Sequence, residues 1–149
     1  MRGGVDFEVR LKELADRAEL LALFDRYLRV PDEGRWERSW LETIFTEDVS
    51  LDYTLATHEG LDGLAEFGRA VHAQFELSHH FGANCLVKLD GDRASVRANM
   101  IATHVPDVSL GGHYLFEAVR TRGGWRCRRL KMNIVWSASG GCQADQSAF

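Results

Sequence analysis

The chain has 149 residues, enough for one domain with a sizeable core and too few for two of ordinary size. Its 45% hydrophobic and 27% charged composition excludes wholesale disorder, and a formal net charge of −4 argues against general nucleic-acid binding. No apolar run approaches the ~18 residues that cross a bilayer, and the N-terminus lacks the apolar region of a secretion signal, so a cytoplasmic location is expected.

Residues 9–30 read as one long amphipathic helix. Leu11, Leu14, Ala15, Ala18, Leu21, Phe24 and Leu28 recur at three- and four-residue steps, with Glu, Arg and Asp between them. Pro31 disfavours a helical backbone in the residue before it and sets the expected end near Val30. After the polar corner Asp32-Glu33-Gly34-Arg35, a second helix of about ten residues is expected, with Trp36, Trp40, Leu41 and Ile44 as its stripe. A strand follows in which Val49, Leu51 and Tyr53 share one face. Residues 60–75 read as a third helix that buries Leu61, Leu64, Phe67, Val71 and Phe75.

From Ser78 onward the period changes from 3.6 to 2. Residues 79–89 are strand-like, Gly91 marks a turn, and 93–104 is the clearest strand, with Ala94, Val96, Ala98, Met100 and Ala102 on one face. A loop is expected over 105–112, then strands near 113–121 and 125–136 around Gly123-Gly124. Residues 1–8 and 137–149 are expected as flexible ends of a single domain spanning 1–149. Helices segregated from an antiparallel sheet make an α+β fold. A strongly curved sheet wrapping the long helix would leave an apolar pocket at its open end.

Four polar residues interrupt faces that should be apolar. His104 has the parity of Ala94 through Ala102, and Tyr53 that of Val49 and Leu51. His79 and His80 must point to opposite faces of their strand, and Asp32 sits at the end of the first helix. An acid, two histidines and a tyrosine on one cavity would suit acid–base chemistry. Each also has a plain reading: Asp32 as a helix cap, Tyr53 as a half-buried core tyrosine, His80 or His104 as a satisfied core histidine. Cys85, Cys127 and Cys142 are odd in number and share no ligand spacing, and no His-x-His or His-x₃-His pattern occurs, so no metal or other cofactor is expected. The basic positions Arg126, Arg128, Arg129 and Lys131 alternate with apolar ones and read as the solvated or interface side of a strand.

The stretch Arg26-Tyr27-Leu28-Arg29-Val30-Pro31-Asp32-Glu33-Gly34-Arg35-Trp36 resembles the helix-end motif of the SnoaL-like, nuclear-transport-factor-2-like superfamily. Phe45 to Tyr53, Ser78-His79-His80-Phe81, His104 before its loop, and Gly124-Trp125-Arg126 resemble later segments of the same superfamily, covering roughly residues 10–136, and the resemblance implies a cone-shaped barrel. Compared with scytalone dehydratases, the resemblance implies Asp32, His80, Tyr53 and His104 as catalytic residues. Compared with bile-acid dehydratases, it implies a role for Tyr27. Pro31 stands where scytalone dehydratases have a second tyrosine, and Glu117 falls near their pocket asparagine. Phe75, Phe81, Met100, Phe116 and Trp136 are expected to line the substrate cavity with Tyr27 and Glu117.

The implied activity is a cofactor-independent dehydratase or polyketide cyclase, working by enolisation of a small hydrophobic carbonyl compound. An isomerase like the ketosteroid isomerases, or a non-catalytic ligand-binding module, is the alternative. The expected partners are that substrate and other copies of the chain in a homodimer or homotrimer, with no nucleic acid and no membrane. The dimer is expected through the outer sheet face, where Arg126, Arg128 and Lys131 lie.

Overall fold

The computed structural model describes residues 2–140. Helix α1 (Arg2–Glu33) is followed by the short α2 (Arg38–Leu41), β1 (Phe45–Asp52), β2 (Thr57–Glu59) and α3 (Leu64–His72). Four long strands complete the chain: β3 (Leu77–Asp90), β4 (Arg93–Val105), β5 (Val108–Thr121) and β6 (Gly124–Ser139). They form one six-stranded sheet in the order β2-β1-β6-β5-β4-β3. The sheet curves around α1, giving the expected α+β cone.

The sheet is mixed and open rather than wholly antiparallel and closed. Strand β1 runs parallel to β6, with Leu51 opposite Leu130, while every other pair is antiparallel. Between β1 and β6 the chain runs through α3 and the β3–β5 meander, a long crossover of the kind a parallel pair requires. Strands β2 and β3 are left as edges.

Helix α1 is longer than its periodicity suggests, and of its expected stripe only Phe24 and Leu28 are buried. Leu20, Leu23, Phe24, Tyr27, Leu28 and Val30 face the sheet, whereas Leu11, Leu14 and Leu21 are exposed. Asp16 marks the buried side one turn before Leu20, because its carboxylate reaches Arg120 and Trp125 on the sheet. Residues 2–8 are helical too, with an ion pair from Arg10 to Asp6 one turn back. Of the expected C-terminal end, 137–139 continue β6, and 141–149, including Cys142, lie outside the described residues.

Pro31 does not stop α1. It sits in the last turn, where its missing N–H removes a single helical bond, and Gly34 at φ 66° provides the left-handed residue that ends the helix. The expected second helix shrinks to four residues because 42–44 continue as turns into β1. The expected loop at 105–112 shrinks to Pro106 and Asp107, so Val108–Gly112 belong to β5, with a register shift between Gly111 and Gly112.

Alternation on β4 is regular: Ala94, Val96, Ala98, Met100, Ala102 and His104 are all buried, and the residues between them are half-buried or exposed. The alanines among them leave room for the core side chains of α1. Gly82 on β3 extends that effect, since a Cβ there would sit 2.8 Å from Leu28 Cδ1. The end of α1 is thereby held against β3, and this contact positions Asp32.

Candidate active site

Asp32 lies in the last turn of α1, not at the start of another helix, and its side chain crosses to β3. Its Oδ1 accepts hydrogen bonds from His80 Nδ1 at 2.6 Å and from the Ser78 hydroxyl at 3.1 Å. Its Oδ2 accepts the backbone N–H of His80 at 2.8 Å. The side chains of His80 and Asp32 are only 7% and 15% exposed, so water competes weakly for these bonds. A carboxylate accepts and cannot donate, so the proton of the neutral ring is assigned to Nδ1. His80 Nε2 is left with a free lone pair.

Strand pairing brings His104 beside this pair. Ser78 pairs with His104 and His80 with Ala102, so the two histidines occupy neighbouring inner positions on adjacent strands. Their ring centroids are 5.4 Å apart and nearly perpendicular. His104 is 6% exposed, and its Nδ1 is buried with no hydrogen-bond partner among the described residues. Burial, aided by the neighbouring His80 and His72, lowers its pKa to about 4. The ring is therefore neutral at physiological pH.

The sequence reading missed His72, the last residue of α3. Its centroid lies 6.4 Å from that of His80 and 6.2 Å from that of His104. Nδ1 donates to the Gly68 carbonyl at 2.9 Å, so its Nε2 is also unprotonated in the neutral ring. Burial lowers its pKa, against the raising effect of that carbonyl. A signal was present, because Leu64, Gly68 and His72 are spaced by four and follow the buried side of α3.

These three rings line one end of a cavity of about 280 Å³, close to the lower end of the ~300–1,000 Å³ range of small-molecule pockets. Most of the wall is apolar, including Phe45, Leu64, Phe67, Phe75, Met100 and Ile134. Phe75 lies 4.3 Å from the His104 ring, centroid to centroid. Tyr27, Tyr53 and Tyr114 also line the cavity, with the Tyr27 and Tyr53 hydroxyl oxygens 3.0 Å apart. Burial raises the pKa of Tyr27 and Tyr53, and pushes that of Tyr114 up to about 12. All three stay protonated and able to donate.

Asp32, His80, Tyr53, His104, Tyr27, Phe75 and Met100 are thus assembled at or directly behind one cavity. The other expected lining residues are elsewhere. Phe81 follows inward-facing His80, so strand alternation turns it outward, where it is 60% exposed against His79. Phe116 points inward but below the cavity, wedged between the rings of Phe24 and Tyr27. Glu117 is on the outer face, 3.9 Å from Arg129. The shift at Gly111/Gly112 turns Trp136 outward over Gly111, and Met132 and Ile134 take the inward positions of β6.

A family model for the SnoaL-like domain matches residues 12–131. The chain belongs to the SnoaL-like domain family. Among curated proteins no relative matches it in sequence. Solved structures share the fold of this SnoaL-like domain. The Kfla4162 protein from Kribbella flavida is 28% identical with a TM-score of 0.78, covering 84% of this chain and 94% of that one. A putative scytalone dehydratase from Novosphingobium aromaticivorans is 19% identical with a TM-score of 0.73, covering 88% and 95%. A hexachlorocyclohexane dehydrochlorinase from Novosphingobium barchaimii is 19% identical with a TM-score of 0.78, covering 88% and 94%. Among the described residues no helix is long and apolar enough to cross a membrane.

The buried histidines make stability pH-dependent. The unfolded chain protonates His104 near its ordinary value of 6.5, whereas the folded chain resists until about 4. The folded state binds fewer protons across that window, so stability should fall as pH drops from about 6.5 to about 4. His72 acts in the same direction. Urea midpoints measured across this range should fall less in His104→Phe; an identical slope in that variant would exclude His104 as a source.

Proposed function

We propose that this SnoaL-like domain is an enolising enzyme, a dehydratase or cyclase, acting on a small, flat, apolar carbonyl compound. The observation that carries the reading is the 2.6 Å contact between Asp32 and His80 Nδ1, which leaves Nε2 unprotonated on the rim of an apolar cavity. In a dehydration, Nε2 removes the proton α to the substrate carbonyl. Asp32 stabilises the imidazolium that results. The enolate oxygen accepts a hydrogen bond from the protonated tyrosine cluster, with Tyr53 as its nearest expected donor. As the enolate collapses, the β C–O bond breaks and the imidazolium returns its proton to the departing hydroxyl. One C–H and one C–O bond are lost, a C=C bond forms and water leaves, using protein side chains alone. His104 stays neutral and can bond to the departing oxygen. The dehydratase and dehydrochlorinase names of two structural neighbours fit elimination chemistry as a class.

The test is a panel of β-hydroxy ketones with one or two aromatic rings, followed by conjugated-enone absorbance and product mass. A product lighter by one water supports dehydration. No exchange of the α-proton with deuterated solvent for any panel member would contradict enolisation. Tyr53→Phe should lower kcat by roughly tenfold, less than loss of one full oxyanion donor, because Tyr27 remains in the cluster. An unchanged kcat would remove Tyr53 from the reaction.

The proposal includes a homo-oligomer formed through the outer sheet face. Phe81, Ile101, Leu115 and Trp136 are exposed there, although Arg126 and Arg128 are engaged within the chain by the Glu42 carbonyl and Asp48. Light scattering should return a multiple of the chain mass; a monomer at micromolar concentration would contradict it.

A further inference from the structure

We propose that His72, His80 and His104 bind one divalent transition-metal cation of the zinc class. Each of the three rings offers a nitrogen, and these atoms all lie within 4.8 Å of one another. They come from α3, β3 and β4, so no local spacing in the sequence announces them. The proposed elimination employs His80 and His104 and has no use for His72.

The bonds behind the cluster are those a metal site requires. A ligating histidine usually donates its second ring N–H to a carboxylate or a backbone carbonyl, which fixes the tautomer and aims the other nitrogen. His80 does so to Asp32 at 2.6 Å, and His72 to the Gly68 carbonyl at 2.9 Å. Both rings therefore present an unprotonated Nε2. His104 is nine-tenths buried with an unpartnered Nδ1, a state that is costly for a polar atom and relieved by a ligand. Tetrahedral zinc with bonds of about 2.0–2.1 Å holds its ligand nitrogens roughly 3.4 Å apart. The cage must close by up to about 1.4 Å, chiefly through small torsions of the half-buried His72.

Three neutral imidazoles without a directly bound carboxylate select borderline cations such as Zn²⁺ and Co²⁺ over Mg²⁺ and Ca²⁺, which take oxygen ligands. A fourth ligand would come from the apolar cavity that the three histidines line. A bound cation occupies the Nε2 lone pair of His80, so metal binding and proton abstraction by His80 exclude one another. Metal binding is measured without substrate, so its failure is distinct from failure of the enolisation reading.

The metal-stripped full chain is titrated with Zn²⁺ against a chromophoric chelator, and with Co²⁺ followed by visible absorption. One equivalent should bind with micromolar or tighter affinity, with the Co²⁺ bands of four-coordination. His72→Ala and His80→Ala should each weaken binding by about 100-fold or more, and Asp32→Asn by roughly 10–100-fold. His79→Ala, on the outer face, should leave affinity unchanged. His72→Gln replaces His72→Ala if the latter fails to fold. Failure of the folded wild-type chain to bind Zn²⁺ at submillimolar concentration overturns the site, as does full affinity in the folded His72 variant. Equal affinity for Mg²⁺ overturns the assigned class.

Discussion

His80→Ala is expected to lower turnover by about 10²–10⁴-fold, the usual contribution of a positioned general base, while leaving the chain folded. The side chain faces a cavity and not a packed layer, so truncation opens space that water can enter. Asp32 keeps two of its three donors in that variant, the Ser78 hydroxyl and the backbone N–H of residue 80. Asp32→Asn should also depress turnover severely, by a different route. The amide preserves size, but its N–H₂ group can face the ring where an acceptor stood. His80 Nδ1 then becomes the acceptor and Nε2 carries the proton, so the atom facing the cavity can no longer accept one. Kinetics together with far-UV circular dichroism check both variants; loss of activity accompanied by loss of structure would assign the effect to folding.

The largest stability effect of a polar substitution is expected at Asp16. Its carboxylate accepts two bonds from Arg120, at 2.7 and 2.8 Å, and one from the indole of Trp125 at 3.1 Å. Trp125 is 1% exposed, and the Arg120 guanidinium lies 4.5 Å above its ring. Arg120 holds the Asp16 carboxyl below its ordinary pKa, so this contribution is present above the unfolded value near 3.8 and is lost as pH falls through the lower folded value. Asp16→Ala leaves a buried indole N–H unpaired and releases one side of Arg120, which keeps its bond to Asp92. A loss of about 3 kcal/mol is expected, toward the lower end for a broken buried pair because Arg120 is partly exposed. For a chain of this size that lowers Tm by roughly 6–12 °C. A loss under about 1 kcal/mol in chemical denaturation would mean that this cluster does not anchor α1 to the sheet.

Period-2 patterning made β4 legible from Ala94 to His104; parity placed His104 on the buried face and sent His79 and His80 to opposite faces, and the family resemblance chose His80 as the inward one. The long helix was legible as a helix but not in its orientation. Its exposed Leu11, Leu14 and Leu21 mimic a core stripe, and only the distant partners Arg120 and Trp125 explain why Asp16 lies on the buried side. Asp32 was open to two readings because Pro31 suggested that the helix had already ended. With the helix continuing to Glu33, the carboxylate projects at β3 instead of capping α2. Trp136 is expected in the cavity but is turned outward by the shift at Gly111/Gly112, and such shifts leave little trace in sequence beyond the glycine pair. His72 escaped because its meaning depends on two strands that follow it.

The proposed proton chemistry rests on Asp32 and His80 acting as one unit, and the Asp32→Asn/His80→Ala double variant tests this most directly. Its turnover should match that of the more impaired single variant on any carbonyl substrate that the wild-type chain turns over, because groups that act together fail together. A loss equal to the product of the two single losses would contradict the pairing.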